Sequence, residues 1–228
     1  MEFLDAVRGV SLGAILLKII ISLILGGALG YERGMKNRPA GFRTYMLVCL
    51  GSAMVMMTNL YIFQYYDGGD IVRMGAQVIS GIGFLGAGTI MVTGRQQIRG
   101  ITTAAGLWAA ACCGLAIGIG FYEGAVLGGV TILIVMACMN RMEIHFRRKS
   151  PIIGVYLEYS SSKNFSHFLA AIREHDLEVI DVQMNGNRSS REGDICIIMN
   201  IESRTKRQHE EVLGIINSID GVDYVEEL

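Results

Sequence analysis

Charge is scarce in this chain. Charged residues make up 18% of its 228 positions, against about a quarter in an ordinary soluble domain. That shortage argues against one water-soluble globule. A disulfide framework is missing as well. Cys49, Cys112, Cys113, Cys138 and Cys196 include no C-x-x-C pair, and the first four lie in apolar runs. They read as small buried hydrophobes. No Ser/His/Asp or Cys/His constellation is visible, so nothing points to an enzyme. His145, His167, His175 and His209 fall outside the apolar runs and have no ligand spacing. The apolar runs hold no acidic pair of the kind that magnesium takes. No metal site, no cofactor and no nucleic-acid partner are expected.

Apolar residues and glycine are plentiful, with 51% hydrophobic positions and 29 glycines. The charge that exists is unevenly spread. Residues 1–149 hold 13 Lys/Arg and 7 Asp/Glu, a net of +6, and residues 150–228 hold 7 and 14, a net of −7. A basic apolar part joined to an acidic polar part predicts two domains, 1–149 in the membrane and 150–228 outside it.

A bilayer core of about 30 Å takes roughly 20 apolar residues in a helix. Five runs meet this: Leu12–Leu29, Thr44–Phe63, roughly Arg73–Val92, Ile101–Ile119 and Phe121–Asn140. The flank before the first run carries Glu2 and Asp5 against Arg8. It lacks the basic start of a signal peptide and predicts a retained span. Arg33, Lys36, Arg38, Arg43, Arg95, Arg99, Arg141, Arg147, Arg148 and Lys149 fall on one side, and only Arg8 and Arg73 on the other. The base-rich side is expected in the cytoplasm, with the N-terminus outside and the tail inside. Asp67-Gly68-Gly69-Asp70 reads as an outer solvated turn.

Glycines recur at four-residue spacing, as in Gly26 and Gly30, and Gly114 and Gly118. Small residues so spaced let helices approach closely in lipid. Gly81, Gly83, Gly86 and Gly88 belong to the same expectation of helix packing. Gly81-Ile82-Gly83-Phe84-Leu85-Gly86 spells G-x-G-x-x-G, but it lies inside an apolar run without a preceding strand, so a dinucleotide site is rejected. Ser80–Gly88 has a second reading, as a bent or interrupted helix like those at transporter sites.

Polar groups inside the runs are costly and so worth naming. Lys18 is expected to snorkel outward. Arg73, Gln77 and Ser80 form either an interfacial anchor or an inward polar stripe. Glu32 is the one acid in the first base-rich connection. A polar cluster of Glu32, Arg33, Arg43 and Arg99, tied by ion pairs, is the main candidate site.

After Pro151 the period changes to two. Ile153, Val155, Leu157 and Tyr159 alternate as a strand, Phe165, Phe168, Leu169 and Ile172 have helical spacing, and Ser162 or Asn164 would cap that helix. Leu177–Met184 and Asp194–Ile201 read as strands around a turn-rich loop at Asn185–Arg191. A helix from about Lys206 to Ile219 and a strand at Val222–Val225 finish the chain. The order βαββαβ predicts an α+β, ferredoxin-like or ACT-like domain, which either pairs with a second copy or senses an effector.

Three blocks carry a family resemblance: Gly26–Ala53, GGALGYERGMKNRPAGFRTYMLVCLGSA; Arg73–Ile90, RMGAQVISGIGFLGAGTI; and Ile98–Gly120, IRGITTAAGLWAAACCGLAIGIG. They resemble the MgtC/SapB family and its G-x-E-R…A-G-x-R-T signature. Two positions depart from it, because relatives often carry glutamate where this chain has Gly34 and histidine where it has Tyr45. The resemblance implies a bacterial inner or cell membrane protein tied to growth in low magnesium and, in pathogens, to survival inside host cells. It implies a regulator that binds other membrane proteins, among them the F-type ATP synthase. The competing expectation is an ion or small-solute transporter gated by the tail. The expected assembly in the bilayer is a homodimer.

Orientation is directly testable. A periplasm-active reporter fused after Leu228 should stay silent, and a strong signal there would reverse the topology.

Overall fold

The structure is a computed structural model. It describes residues 8–36, 38–66, 70–92, 98–147, 150–160, 165–185, 194–205 and 207–228. The Asp67–Gly69 part of the outer turn, Arg95, Arg148, Lys149, Ser162, Asn164 and most of the Asn185–Arg191 loop lie outside those residues. The chain divides into two compact units, Met1–Asn140 and Arg141–Leu228.

The first unit is helical. Its elements are α1 (Leu12–Met35), α2 (Phe42–Tyr65), α3 (Arg73–Gly88), a short pair β1 (Met91–Val92) and β2 (Ile98–Arg99), α4 (Ile101–Ile119) and α5 (Tyr122–Arg147). Ser11 caps α1, its hydroxyl accepting from the Ala14 amide at 3.3 Å. Among the described residues, α1, α2 and α4 are long and apolar enough to cross a membrane, and the apolar part of α5 is Tyr122–Cys138.

The expected third span needs correction. Its helix stops at Gly88, after 16 residues, a rise of about 24 Å. Met91 and Val92 leave the helix and pair with Arg99 and Ile98 in an antiparallel hairpin. Thr89 marks the exit, its hydroxyl donating to the Gly86 carbonyl at 2.8 Å. The helix is continuous from Arg73 to Gly88, so Ser80–Gly88 is not an interrupted segment.

The turn into α4 demands glycine. Gly100 has φ +101°, a left-handed conformation that L side chains resist, and a Cβ there would strike the Thr89 carbonyl. Gly120, at φ +90°, ends α4, and the Gly120 and Phe121 amides then close on the Ile117 and Ala116 carbonyls at 3.0 and 2.8 Å. This is the usual logic of a glycine helix stop.

α2 is the centre of the unit, packed on α1 and on α4. A methyl at Gly26 would lie 2.8 Å from the Tyr45 carbonyl oxygen, and one at Gly30 would lie 2.8 Å from the Phe42 Cα. From α4, side chains at Gly106, Gly114 and Gly118 would collide with the Tyr45 hydroxyl, the Cys49 carbonyl and the Ala53 carbonyl. Both flanking helices therefore meet α2 backbone to backbone.

The second unit is strand-rich: β3 (Ile152–Ser160), α6 (Phe165–Glu174), β4 (Leu177–Asn185), β5 (Asp194–Ser203), α7 (His209–Asn217) and β6 (Val222–Glu227). The strands order β4-β5-β3-β6, and every neighbouring pair is antiparallel. Alternation puts Ile153, Val155, Leu157 and Tyr159 of β3 on one face with Ile197, Met199 and Ile201 of β5. Phe168 and Ile172 of α6, and Val212 and Ile216 of α7, complete that core. His209 ties the start of α7 to this sheet. Its Nδ1 lies 3.0 Å from Glu227 Oε1 and its Nε2 2.9 Å from the Ser150 carbonyl.

The glycines generate a contrast. Gly100→Ala should lower thermal stability of the purified chain. Gly81→Ala, with nothing within 4 Å of its added methyl, should hold or raise it, since alanine gains about 0.8–1 kcal/mol over glycine in a helix. Equal melting temperatures for the two variants would contradict the strained turn.

Candidate functional site

The inward stripe of α1 is Ala14, Lys18, Ser22, Gly26, Leu29, Gly30 and Arg33. Steps of three and four keep these residues on one face. Small residues fill its middle, where α2 comes closest. Cations occupy both ends.

At the N-terminal end of the stripe Lys18 is fully buried. Its ammonium donates to the carbonyls of Arg8 and Gly9, each at 3.0 Å. It was expected to snorkel toward water. Its ammonium reaches past the start of α1, where backbone carbonyls take the place of solvent. Nearby, Arg8 forms an exposed ion pair with Glu123 of α5 at 2.5 Å.

At the base-rich end Arg33 is 5% exposed and Glu32 16%. Arg33 Nε donates to Glu32 Oε2 at 2.5 Å. Its Nη2 reaches the Met136 carbonyl of α5 at 3.4 Å. Lys36, one turn after Glu32, pairs with the second carboxylate oxygen, though that contact lacks hydrogen-bond geometry and leaves Oε1 without a hydrogen-bond partner. Leu29, Ala40, Tyr45, Leu107, Ala110 and Met136 form the apolar wrapping. An ion pair so enclosed is held by geometry and loses heavily if one partner goes.

Tyr45 links this pair to α4. It is completely buried, and its hydroxyl donates to the Thr103 carbonyl at 3.2 Å. The absence of a side chain at Gly106 makes room for the hydroxyl.

The expected four-residue cluster is brought together only in part. Among the described residues, Glu32 pairs with Arg33 and Lys36 and not with Arg43 or Arg99. Arg43 sits two residues before Tyr45 on α2, about 200° around the helix. With Tyr45 turned inward, Arg43 is exposed. Arg99 is exposed on β2. Lys36, Tyr45 and Thr103 were missed. The i,i+4 spacing of Glu32 and Lys36 was the available signal for the first.

Arg73, Gln77 and Ser80 share a face of α3, and all three are exposed. The buried positions of α3 are Gly75, Ile82 and Gly86, so within one chain the three polar residues face away from the bundle. Of the six glycines expected at helix contacts, Gly26 and Gly30 are tightly enclosed, and a methyl at Gly86 would make an ordinary contact 3.4 Å from Ala104 Cβ. Gly81, Gly83 and Gly88 face open space. They lie away from the Gly75–Gly86 face that meets the bundle, so tight packing does not hold for them within one chain.

The sequence model of the MgtC family matches residues 19–145. The "Putative magnesium transporter YhiD" of Escherichia coli strain K12 is 32% identical over 191 residues, covering 76% of this chain and 88% of that protein. Protein SapB of Bacillus subtilis is 30% identical over 217 residues, covering 91% of this chain and 92% of the relative. Protein MgtC of Salmonella typhimurium is 38% identical over 118 residues, covering 52% and 49% respectively. No solved structure matches the chain.

Glu32→Gln leaves the Arg33 charge buried without its carboxylate. It should cost about 3–5 kcal/mol, the range for breaking a buried pair, while Arg73→Gln on the exposed face of α3 should stay within about 0.5 kcal/mol. Thermal unfolding of the purified variants reads the difference, and similar small losses would show that the pair is not enclosed.

Proposed function

The chain belongs to the MgtC family, and from that premise we propose that it is a non-enzymatic regulator in a bacterial inner or cell membrane, tied to adaptation to low magnesium. It acts by binding other membrane proteins, and the F-type ATP synthase is the partner that the family resemblance implies. On this reading α1 to α5 all cross the membrane, α3 as a short span, with the N-terminus outside and the tail in the cytoplasm. The element order and the sheet order β4-β5-β3-β6 support a ferredoxin-like, ACT-like tail, and that tail pairs two copies into a homodimer.

The placement of positive charge carries the preference for a regulator. Lys18 is buried on the α1 stripe with backbone carbonyls and no carboxylate as its acceptors. A cation moving along α1 would meet that ammonium, and a fixed cation raises the barrier to cation passage. The glycine seams that α1 and α4 make with α2 also leave little space between those helices.

The second reading is an ion transporter gated by the tail. The printed name of the YhiD relative supports it.

Two measurements on the full chain separate these readings. Reconstituted in liposomes, it should pass no more magnesium than empty vesicles do. Purified gently from its native membrane, it should retain ATP synthase subunits. Magnesium flux that depends on the chain would replace the regulator with the transporter.

A further inference from the structure

One groove of the helical unit takes no part in the charge pair. It is an open groove of about 510 Å³ between α2 and α3, with Arg43, Thr44, Leu47, Gly51, Gly81 and Leu85 among its lining residues. That volume is within the ~300–1,000 Å³ of ordinary ligand sites. Gly51 and Gly81 stand on its two walls, and a methyl at either would have nothing within 4 Å. Neither position puts a side chain into the groove. It opens on the outside of the bundle, where Leu47 and Leu85 are 68% and 51% exposed.

Its two ends differ in chemistry. Along α2 the lining runs from Arg43 to Ser52, about 14 Å of helix. From Leu47 onward the walls are almost entirely apolar. At the other end stands Arg43, exposed and without an ion-pair or hydrogen-bond partner among the described residues. Thr44 adds a hydroxyl there, and no side chain caps the first turn of α2. A single guanidinium at the mouth of an apolar slot on a lipid-facing helix pair matches one kind of molecule, with an anionic head and a hydrocarbon tail.

We propose that the α2–α3 groove is a binding site for an anionic phospholipid, with the phosphate on Arg43 and an acyl chain between Gly51 and Gly81. The guanidinium supplies charge and paired donors for phosphate oxygens. The slot supplies apolar contact. The missing side chains at Gly51 and Gly81 make room for the chain. Basic residues at a membrane surface attract anionic lipid by ~1 kcal/mol each, which is about fivefold in affinity. The site is independent of whether the protein regulates or transports.

The test uses the full chain purified in neutral detergent, with bound lipid read by native mass spectrometry and stabilisation read by thermal unfolding. Phosphatidylglycerol should be retained about fivefold better than phosphatidylcholine, and should raise the melting temperature more. Arg43→Gln should abolish that preference while still retaining lipid. Gly81→Leu and Gly51→Leu should reduce retention of both lipids, because each fills the slot. Gly83→Leu, at an open glycine outside the lining, should behave as the wild type. Folding of each variant is checked by monodispersity and helical circular dichroism, and a failure of one groove variant leaves the other to decide. Equal retention of the two lipids by the wild type would overturn the site. So would wild-type retention in the folded groove variants, or stabilisation by inorganic phosphate equal to that by phosphatidylglycerol.

Discussion

The first unit depends on how closely α2 approaches its two neighbours. In lipid there is no hydrophobic gain from bringing two apolar helices together, so association rests on van der Waals contact and on polar bonds between helices. Gly26 and Gly30 on α1, and Gly106, Gly114 and Gly118 on α4, bring backbones within reach of the Tyr45, Cys49 and Ala53 turns of α2. The glycines weaken each helix taken alone. They are tolerated because every one of these sites meets a neighbour.

That approach also encloses the charges. Arg33 lies one turn beyond Gly30 on the same stripe of α1, so whatever brings Gly30 against Phe42 brings Arg33 under cover. Its guanidinium then needs a fixed partner, and Glu32 provides it. The Met136 carbonyl gives a second acceptor from α5, and Tyr45 joins α4 to the same locality through Thr103. Four helices thus meet at the most enclosed ion pair among the described residues. Lys18 repeats the solution near the start of α1 with backbone carbonyls in place of a carboxylate.

The second unit follows the physics of water. Its core is one sheet face covered by α6 and α7, with Leu157, Phe168, Ile172, Ile201 and Ile216 fully buried. Burial of such side chains is worth about 1.5–3 kcal/mol apiece. Its acidic surplus sits on a surface that water can solvate, and its apolar alternation is strict enough to specify register.

Helices, strands and the change of character after Pro151 were legible in the residues alone. Hydropathy and period are local properties, and a neighbour's identity does not alter them. The exit at Gly88 was legible only in part, because Thr89–Val92 are apolar enough to extend a span until the hairpin with Ile98 and Arg99 claims them. Side-chain partners were decided by the tertiary structure. Glu32 and Arg33 are adjacent in sequence, yet nothing in the sequence told that pair from Glu32 with Arg43 or Arg99. Gly26 and Gly81 are the same residue in similar apolar helices, but one touches the Tyr45 carbonyl and the other borders an open groove. The difference is rotational. A helix repeats its residues every 3.6 positions, so the sequence determines which residues share a face, and only the packing of α2 between α1 and α4 decides which face turns inward.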